Sequence, residues 1–168
     1  MKSFTALGLL LLLAACQSNS SNPQTNHRLI GHENFEKQLQ EALITATKGM
    51  LIQLPEGQFT LQRQLSFNDA QSVTIKGAGS QKTVLSFKDQ LEGAEGLMVK
   101  NANGIVLEGF TIEDTKGDAI KVQHSKEVVF RDIQVRWTNG PSPQNGAYGL
   151  YPVSCTNVLL EDCEASFA

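Results

Sequence analysis

Ser72-Val73-Thr74-Ile75-Lys76-Gly77-Ala78 can be laid without a gap over three later stretches of the chain. These are Gly104-Ile105-Val106-Leu107-Glu108-Gly109-Phe110, Glu127-Val128-Val129-Phe130-Arg131-Asp132-Ile133 and Asn157-Val158-Leu159-Leu160-Glu161-Asp162-Cys163. Self-similarity at this period marks a solenoid, in which one copy buries its apolar face against the next. The copies lie 32 residues apart (Val73 to Ile105), then 23 (Ile105 to Val128), then 30 (Val128 to Val158). A unit of about 23 residues is therefore being stacked with insertions of variable length.

Working outward from the motif, each unit contains three short strands. The strand ahead of the motif aligns Leu65-Ser66-Phe67, Leu97-Met98-Val99, Ile120-Lys121-Val122 and Leu150-Tyr151-Pro152. Large residues take its first and third places, and side chains alternate across a strand, so those places point inward. Within the motif, Val73/Ile105/Val128/Val158 and Ile75/Leu107/Phe130/Leu160 form two more inward columns. After a bend at Gly77, Gly109, Asp132 or Asp162, a third strand turns in Phe110/Ile133/Cys163 and Ile112/Val135/Ala165.

The outward column tests this register. Lys76, Glu108, Arg131 and Glu161 alternate in sign. Strand neighbours lie about 4.8 Å apart, where like charges would repel, so alternation is what stacking requires. A second outward column, Val106, Val129 and Leu159, is apolar, and one reading makes it a stripe for a protein partner.

At the N-terminal side of the repeats, Phe35, Leu39, Ala42, Leu43 and Ala46 recur on one helical face between Asn34 and Lys48, and Gly49 follows. The pattern predicts a helix over 34–48 that lids the first coil, because terminal units of a solenoid need a cap. Met50 to Phe59 reads as the first strand and its turn.

With 168 residues, 40% of them hydrophobic, and a net charge of -3, the chain has the composition of one globular unit. It carries no polybasic run, so a nucleic-acid partner is not expected. Ahead of the domain, Lys2, the apolar stretch from Phe4 to Leu13 and then Leu13-Ala14-Ala15-Cys16 have the order of a signal peptide, too short to span a bilayer as a helix. That tetrapeptide resembles the bacterial lipobox. The resemblance implies lipidation of Cys16, and through it attachment to a membrane in the cell envelope. Gln17 after the cysteine favours the outer membrane of a Gram-negative bacterium. Residues 17–32 are read as a polar tether, leaving 33–168 as the domain.

The repeat as a whole resembles right-handed, single-stranded parallel β-helix proteins of the pectate-lyase-like superfamily, among them bacterial lipoproteins built of such coils. Ile52-Gln53-Leu54-Pro55-Glu56-Gly57, Ile75-Lys76-Gly77-Ala78-Gly79 and Gly117-Asp118-Ala119-Ile120 carry the likeness over about residues 34–168. The fold class expected is all-β, a right-handed parallel β-helix of about four coils with an N-terminal capping α-helix. The sequence stops just after a third strand with no capping pattern, which predicts either further coils in a longer protein or end-to-end self-association.

In the superfamily's enzymes an extended polysaccharide lies along one strand column and the loops beside it. The matching column here is Met98, Lys121 and Tyr151, with Lys100, Gln123 and Val153 two positions on. Trp137, Tyr148 and Tyr151 are candidates to stack on sugar rings, with Gln123 beside them and Lys121 to pair a uronate carboxylate. The alternative is that the aromatics pack their own insertion and Lys121 is solvated. Asp114 and Asp118 flank a Lys116-Gly117 turn. Together with Lys121 they are candidates for acid and base roles in a lyase, epimerase or hydrolase. Asp in such a turn also serves by hydrogen-bonding local backbone. His124 falls in a turn column with Asn101 and Ser154. The Gly-His-Gly and Asp-Pro-His-Asp segments of superfamily hydrolases and epimerases are not in the sequence, no second His or Cys stands at metal-ligand spacing from His124, and His27 and His32 fall in the stretch read as tether. No metal or cofactor is expected. Cys155 and Cys163 flank a strand, which holds them beyond disulfide reach, and Cys163 is expected in the core.

Overall fold

In a computed structural model, which describes residues 27–168, the chain is a mostly β parallel solenoid of about five turns with one short helix near its N-terminal end. Cys16 and the leader around it lie outside the described residues. The elements are β1 (His27–Leu29), α1 (Phe35–Ile44), β2 (Leu51–Gln53), β3 (Gly57–Thr60), β4 (Arg63–Asn68), β5 (Gln71–Lys76), β6 (Thr83–Ser86) and β7 (Glu92–Lys100). They continue as β8 (Asn103–Glu113), β9 (Ile120–Gln123), β10 (Lys126–Arg136), β11 (Leu150–Val153), β12 (Thr156–Glu161) and β13 (Glu164–Ser166). One sheet runs β1-β2-β5-β8-β10-β12, with β3, β6 and β13 joined to the same ladder; a second runs β4-β7-β9-β11. Every pairing is parallel.

The aligned motifs are in register across the first sheet: Val73 pairs Ile105, which pairs Val128, which pairs Val158. Leu65, Leu97, Ile120 and Leu150 stack in the same way in the second sheet. The inward columns form one continuous core with residues from Ile30 to Trp137. Five turns rather than four are present because β2, β3 and β4 already complete a turn ahead of the first recognisable motif. The charge ladder is real. Lys76 Nζ lies 2.7 Å from Glu108, and Arg131 bridges 3.5 Å to Glu108 and 2.7 Å to Glu161.

Corners of the coil fall into columns of left-handed backbone. Asp69, Asn101, His124 and Ser154 all have φ between 50° and 58°, and three residues on Ser72, Glu127 and Asn157 repeat it, with Gly104 in the same column. Short polar residues reach this region most readily apart from glycine, which explains the residue types at most of these corners. Asn157 donates to the carboxylate of Glu127, 2.6 Å away, across the second column. Asp132, at φ 48°, accepts from the backbone N–H and the hydroxyl of Ser80, two turns earlier, so its role is that of a corner brace.

The N-terminal edge is closed in two ways. On the first sheet, β1 pairs with β2 through His27–Leu51, Arg28–Ile52 and Leu29–Gln53. This strand lies inside the stretch read as tether, because three residues are too few to show a period. On the second sheet, α1 lies over β4 with Phe35, Leu39, Ala42 and Leu43 buried. Gln40 uses its side-chain amide as a strand would: Nε2 donates to Ser66 O and Oε1 accepts from Ser66 N, both at 2.9 Å. Glu36 accepts from Gln62 N at 2.8 Å. An open strand edge is otherwise a template for unwanted pairing. The helix ends at Ile44, short of the expected Lys48, where Thr45 turns its hydroxyl back onto Glu41 O.

Cys155 and Cys163 are both free. Cys163 is half-buried rather than fully buried, because the fifth turn has no neighbour on its outer side among the described residues.

Replacing Gln40 by Ala is expected to lower stability by about 1–3 kcal/mol, since it orphans two backbone groups of β4 at once. A urea-denaturation midpoint measured on the full chain checks this, and Gln40→Glu should recover part of the loss at most, because it accepts from Ser66 N but cannot donate to Ser66 O.

Candidate functional site

The outer face of the second sheet carries the column Ser66, Met98, Lys121 and Tyr151, held in direct register. Continuing that register three residues toward the N-terminus aligns Glu95, Asp118 and Tyr148. The backbone confirms the alignment: Gly96 N–H donates to Asp118 O and Ala119 N–H to Tyr148 O. Lys121 sits where the two columns meet. Its ammonium lies 3.1 Å from Asp118 Oδ2 and 3.4 Å from Glu95 Oε1. The Tyr151 ring is beside it, 5.4 Å from Nζ to the ring centre. Tyr148 and Tyr151 stack with centroids 4.1 Å apart and planes 19° from parallel.

Small residues let these columns approach. Gly96, Ala119 and Gly149 occupy one level, and a Cβ added at Gly96 would meet Ala119 O at 2.8 Å. Gly117 N–H donates to Ala94 O at 2.7 Å, and a Cβ on Gly146 would run into the Gly117 carbonyl. Glycine is needed here for close backbone approach, a reason distinct from its use at positive φ. Glu95 comes from a bulge in β7, where the register with β4 passes from Arg63–Glu92 to Leu65–Leu97, so β7 spends five residues where β4 spends two.

The ion cluster is partly buried: the side chains of Asp118, Glu95 and Lys121 are 12%, 17% and 21% exposed. The Asp118 hydrogen bond is the main cause holding the Lys121 ammonium above its ordinary value of 10.5. Partial desolvation opposes it, and the charges of Asp118 and Glu95 add to it. Lys121 is thereby kept protonated and is a poor general base.

Asp114 and Asp118, paired in the sequence reading, have separate employment. Asp114 accepts from the backbone N–H and the hydroxyl of Thr138 at 2.7 and 2.8 Å, which ties down the start of the 138–148 insertion. Trp137 is 3% exposed and donates from Nε1 to Thr115 O at 2.8 Å. Its ring belongs to the core and is not a surface platform; the expectation that it stacks on a ligand is corrected by its burial. Tyr148, by contrast, is 50% exposed. Gln123 is half-buried on the neighbouring column, in register with Lys100 and Val153. His124 is one of the left-handed corner residues. The apolar stripe is also in register, with Val106 paired to Val129 and Val129 to Leu159.

A hollow of about 520 Å³ opens beside Tyr148, lined by Leu150, Leu160, Cys163 and Ala165, and two more lie elsewhere. One, of about 360 Å³, is lined by Asp114, Lys116, Trp137, Thr138 and Asn145 at the base of the insertion. The other, of about 670 Å³, lies far from it between α1 and β3–β4, lined by His32, Glu36, Gln40, Gln58 and Arg63 among others. The larger hollow is a by-product of capping, since Glu36 and Gln40 in its wall are spent on the strand edge. Among the described residues no group of three or more His, Cys, Asp or Glu converges as a metal site, and no helix is long and apolar enough to cross a membrane. Compared with family models, curated proteins and solved structures, the chain finds no match.

Lys121→Met is expected to destabilise the fold by about 1–3 kcal/mol, because it leaves two carboxylates facing each other without a counter-charge. Adding Asp118→Asn should restore much of the loss. The raised Lys121 value stabilises the folded state below the unfolded lysine value of 10.5 and ceases to do so as pH rises past the folded value. The difference in melting temperature between wild type and Lys121→Met should hold steady from neutral pH up to that window and shrink above it.

Proposed function

We propose that this chain is a lipid-anchored envelope protein whose second sheet binds an extended carbohydrate along the columns ending in Tyr148 and Tyr151. The observation that carries the reading is the aromatic pair. One face of Tyr151 is covered by Tyr148, and Tyr148 is half-exposed, so an open ring stands at the rim of the second sheet. Aromatic rings present large apolar area at low entropic cost, which suits the apolar face of a sugar. Beside the rings, Asp118, Glu95 and Gln123 supply acceptors, and the parallel columns repeat at strand spacing along the solenoid. The finer likeness to right-handed helices of the pectate-lyase-like superfamily rests on the sequence motifs and is part of this proposal.

Binding is favoured over catalysis by Asp114, Asp118 and Lys121. Asp114 has both carboxylate oxygens engaged by Thr138, and Lys121 is locked as a cation between two acids. A lyase-type base would need a neutral amine.

Affinity electrophoresis of the full chain through gels containing neutral and charged polysaccharides tests the reading. Tyr148→Ala should weaken retardation markedly in the gel that retards the wild type, with affinity falling about tenfold for a lost stacking contact of about 1–1.5 kcal/mol. Undiminished retardation in both Tyr148→Ala and Tyr151→Ala would remove the reading.

Anchoring is tested separately. Wild-type protein expressed in a Gram-negative host should incorporate labelled palmitate and sediment with membranes, and Cys16→Ser should do neither. Several acyl chains give stable attachment, each buried CH₂ contributing about 0.8 kcal/mol.

A further inference from the structure

Resting on the carbohydrate reading, we infer that the ligand of the second sheet is an amine-bearing glycan and that uronate polymers are excluded. The ion cluster next to the tyrosines decides the sign. Glu95, Asp118 and Lys121 sum to one net negative charge, and the ammonium is already shared between Glu95 Oε1 and Asp118 Oδ2. The Tyr151 ring lies beside it, 5.4 Å from Nζ to the ring centre. A ligand carboxylate approaching Lys121 would therefore meet two carboxylates at the same distance, in a place where side chains are only 12–21% exposed and water screens poorly.

A protonated amine meets the opposite situation. Each acid engages Lys121 through a single oxygen, so each has a second oxygen with which to accept from a ligand. Nearby cations do not reverse the balance. Arg63 is paired with Glu92, and Lys100 lies two residues beyond Met98 on an exposed position of β7. Lys116 points to the hollow at the base of the insertion, which it shares with Asp114. A sugar ring stacked on the open face of Tyr148 is adjacent, along the same column, to Asp118 and then Glu95, which places an amine substituent against the acids. Rejection of uronates is then a consequence of like-charge opposition and not of a missing contact.

The test uses the full chain and three probes: glucosamine oligomers with free amines, the same oligomers N-acetylated, and oligogalacturonate of similar length, at a pH where the free amines are protonated and in low salt. The free-amine oligomer should bind about tenfold more tightly than its acetylated counterpart, as a charge-assisted contact implies, and oligogalacturonate should not bind. Rising salt should close that gap in the unmodified protein. Glu95→Gln combined with Asp118→Asn should close it at low salt by weakening the free-amine oligomer more than the acetylated one; should the double variant not fold, Glu95→Gln alone should narrow it. Equal affinity for the free-amine and acetylated oligomers would overturn the inference. So would oligogalacturonate binding that Tyr148→Ala abolishes, and that result would leave the carbohydrate reading standing. Binding of none of the three would overturn both.

Discussion

Strict stacking in register is the constraint on which everything else here depends. Because successive turns pair in parallel with no slip along the motif columns, each side chain has its equivalent directly above and below it. The consequence is that residue choice is made by column, not by position. Inward columns must be apolar, and outward ones must avoid stacking like with like. The ladder Lys76, Glu108, Arg131 and Glu161 satisfies that second demand with ion pairs of 2.7 to 3.5 Å. Such exposed pairs contribute little stability each, about 0–1 kcal/mol, and their value is in penalising a shifted register.

Corners obey the same rule. A coil of this size must turn sharply several times while its strands stay aligned, and it does so with left-handed residues at fixed places: Asp69, Asn101, His124 and Ser154, then Ser72, Gly104, Glu127 and Asn157. Once those columns are fixed, extra length enters at two bends: between β5 and β6, where Lys76 to Val84 spans eight residues against three from Glu108 to Thr111 in β8, and ahead of the second sheet. There the coil lengthens by the bulge that carries Glu95 and by the insertion that carries Tyr148. The candidate site is at the second of these bends, where the bulge and the insertion meet the rim of the second sheet.

Much of this was legible in the sequence because a stacked repeat makes its own alignment. Columns through Val73, Ile75 and Leu65, the charge ladder, the corner role of His124 and the capping helix all follow from spacing and side-chain type. What escaped had physical reasons. β1 is three residues long and shows no period. The helix stops early because Thr45 bonds back to Glu41, a competition invisible to a pattern of apolar residues. For Trp137 the loop composition leaves ligand stacking and packing of the insertion both open, and only the reach of its indole N–H to Thr115 O, which draws the ring into the core, decides for packing. Glu95 was recoverable: the register that aligns Met98 with Lys121 aligns Glu95 with Asp118 three residues earlier. It escaped because that stretch is a bulge relative to the preceding turn, where alignment by apolar pattern breaks down.

Glu95 also changes what Lys121 means. Read alone on an outward column, a lysine is a free cation, apt to pair an acidic ligand or, if neutral, to take a proton. Read between Glu95 and Asp118, it is a counter-ion, and its protonated form is the one the surroundings favour. The cluster then resembles a buried polar network more than a reactive centre: its members fix one another's positions, and removing any one exposes the charge of the others. Such a cluster beside a stacked pair of rings fits the proposal of a ligand held in one orientation. Asp114, by contrast, has its carboxylate engaged by the backbone N–H and the hydroxyl of Thr138 and takes no part in the cluster.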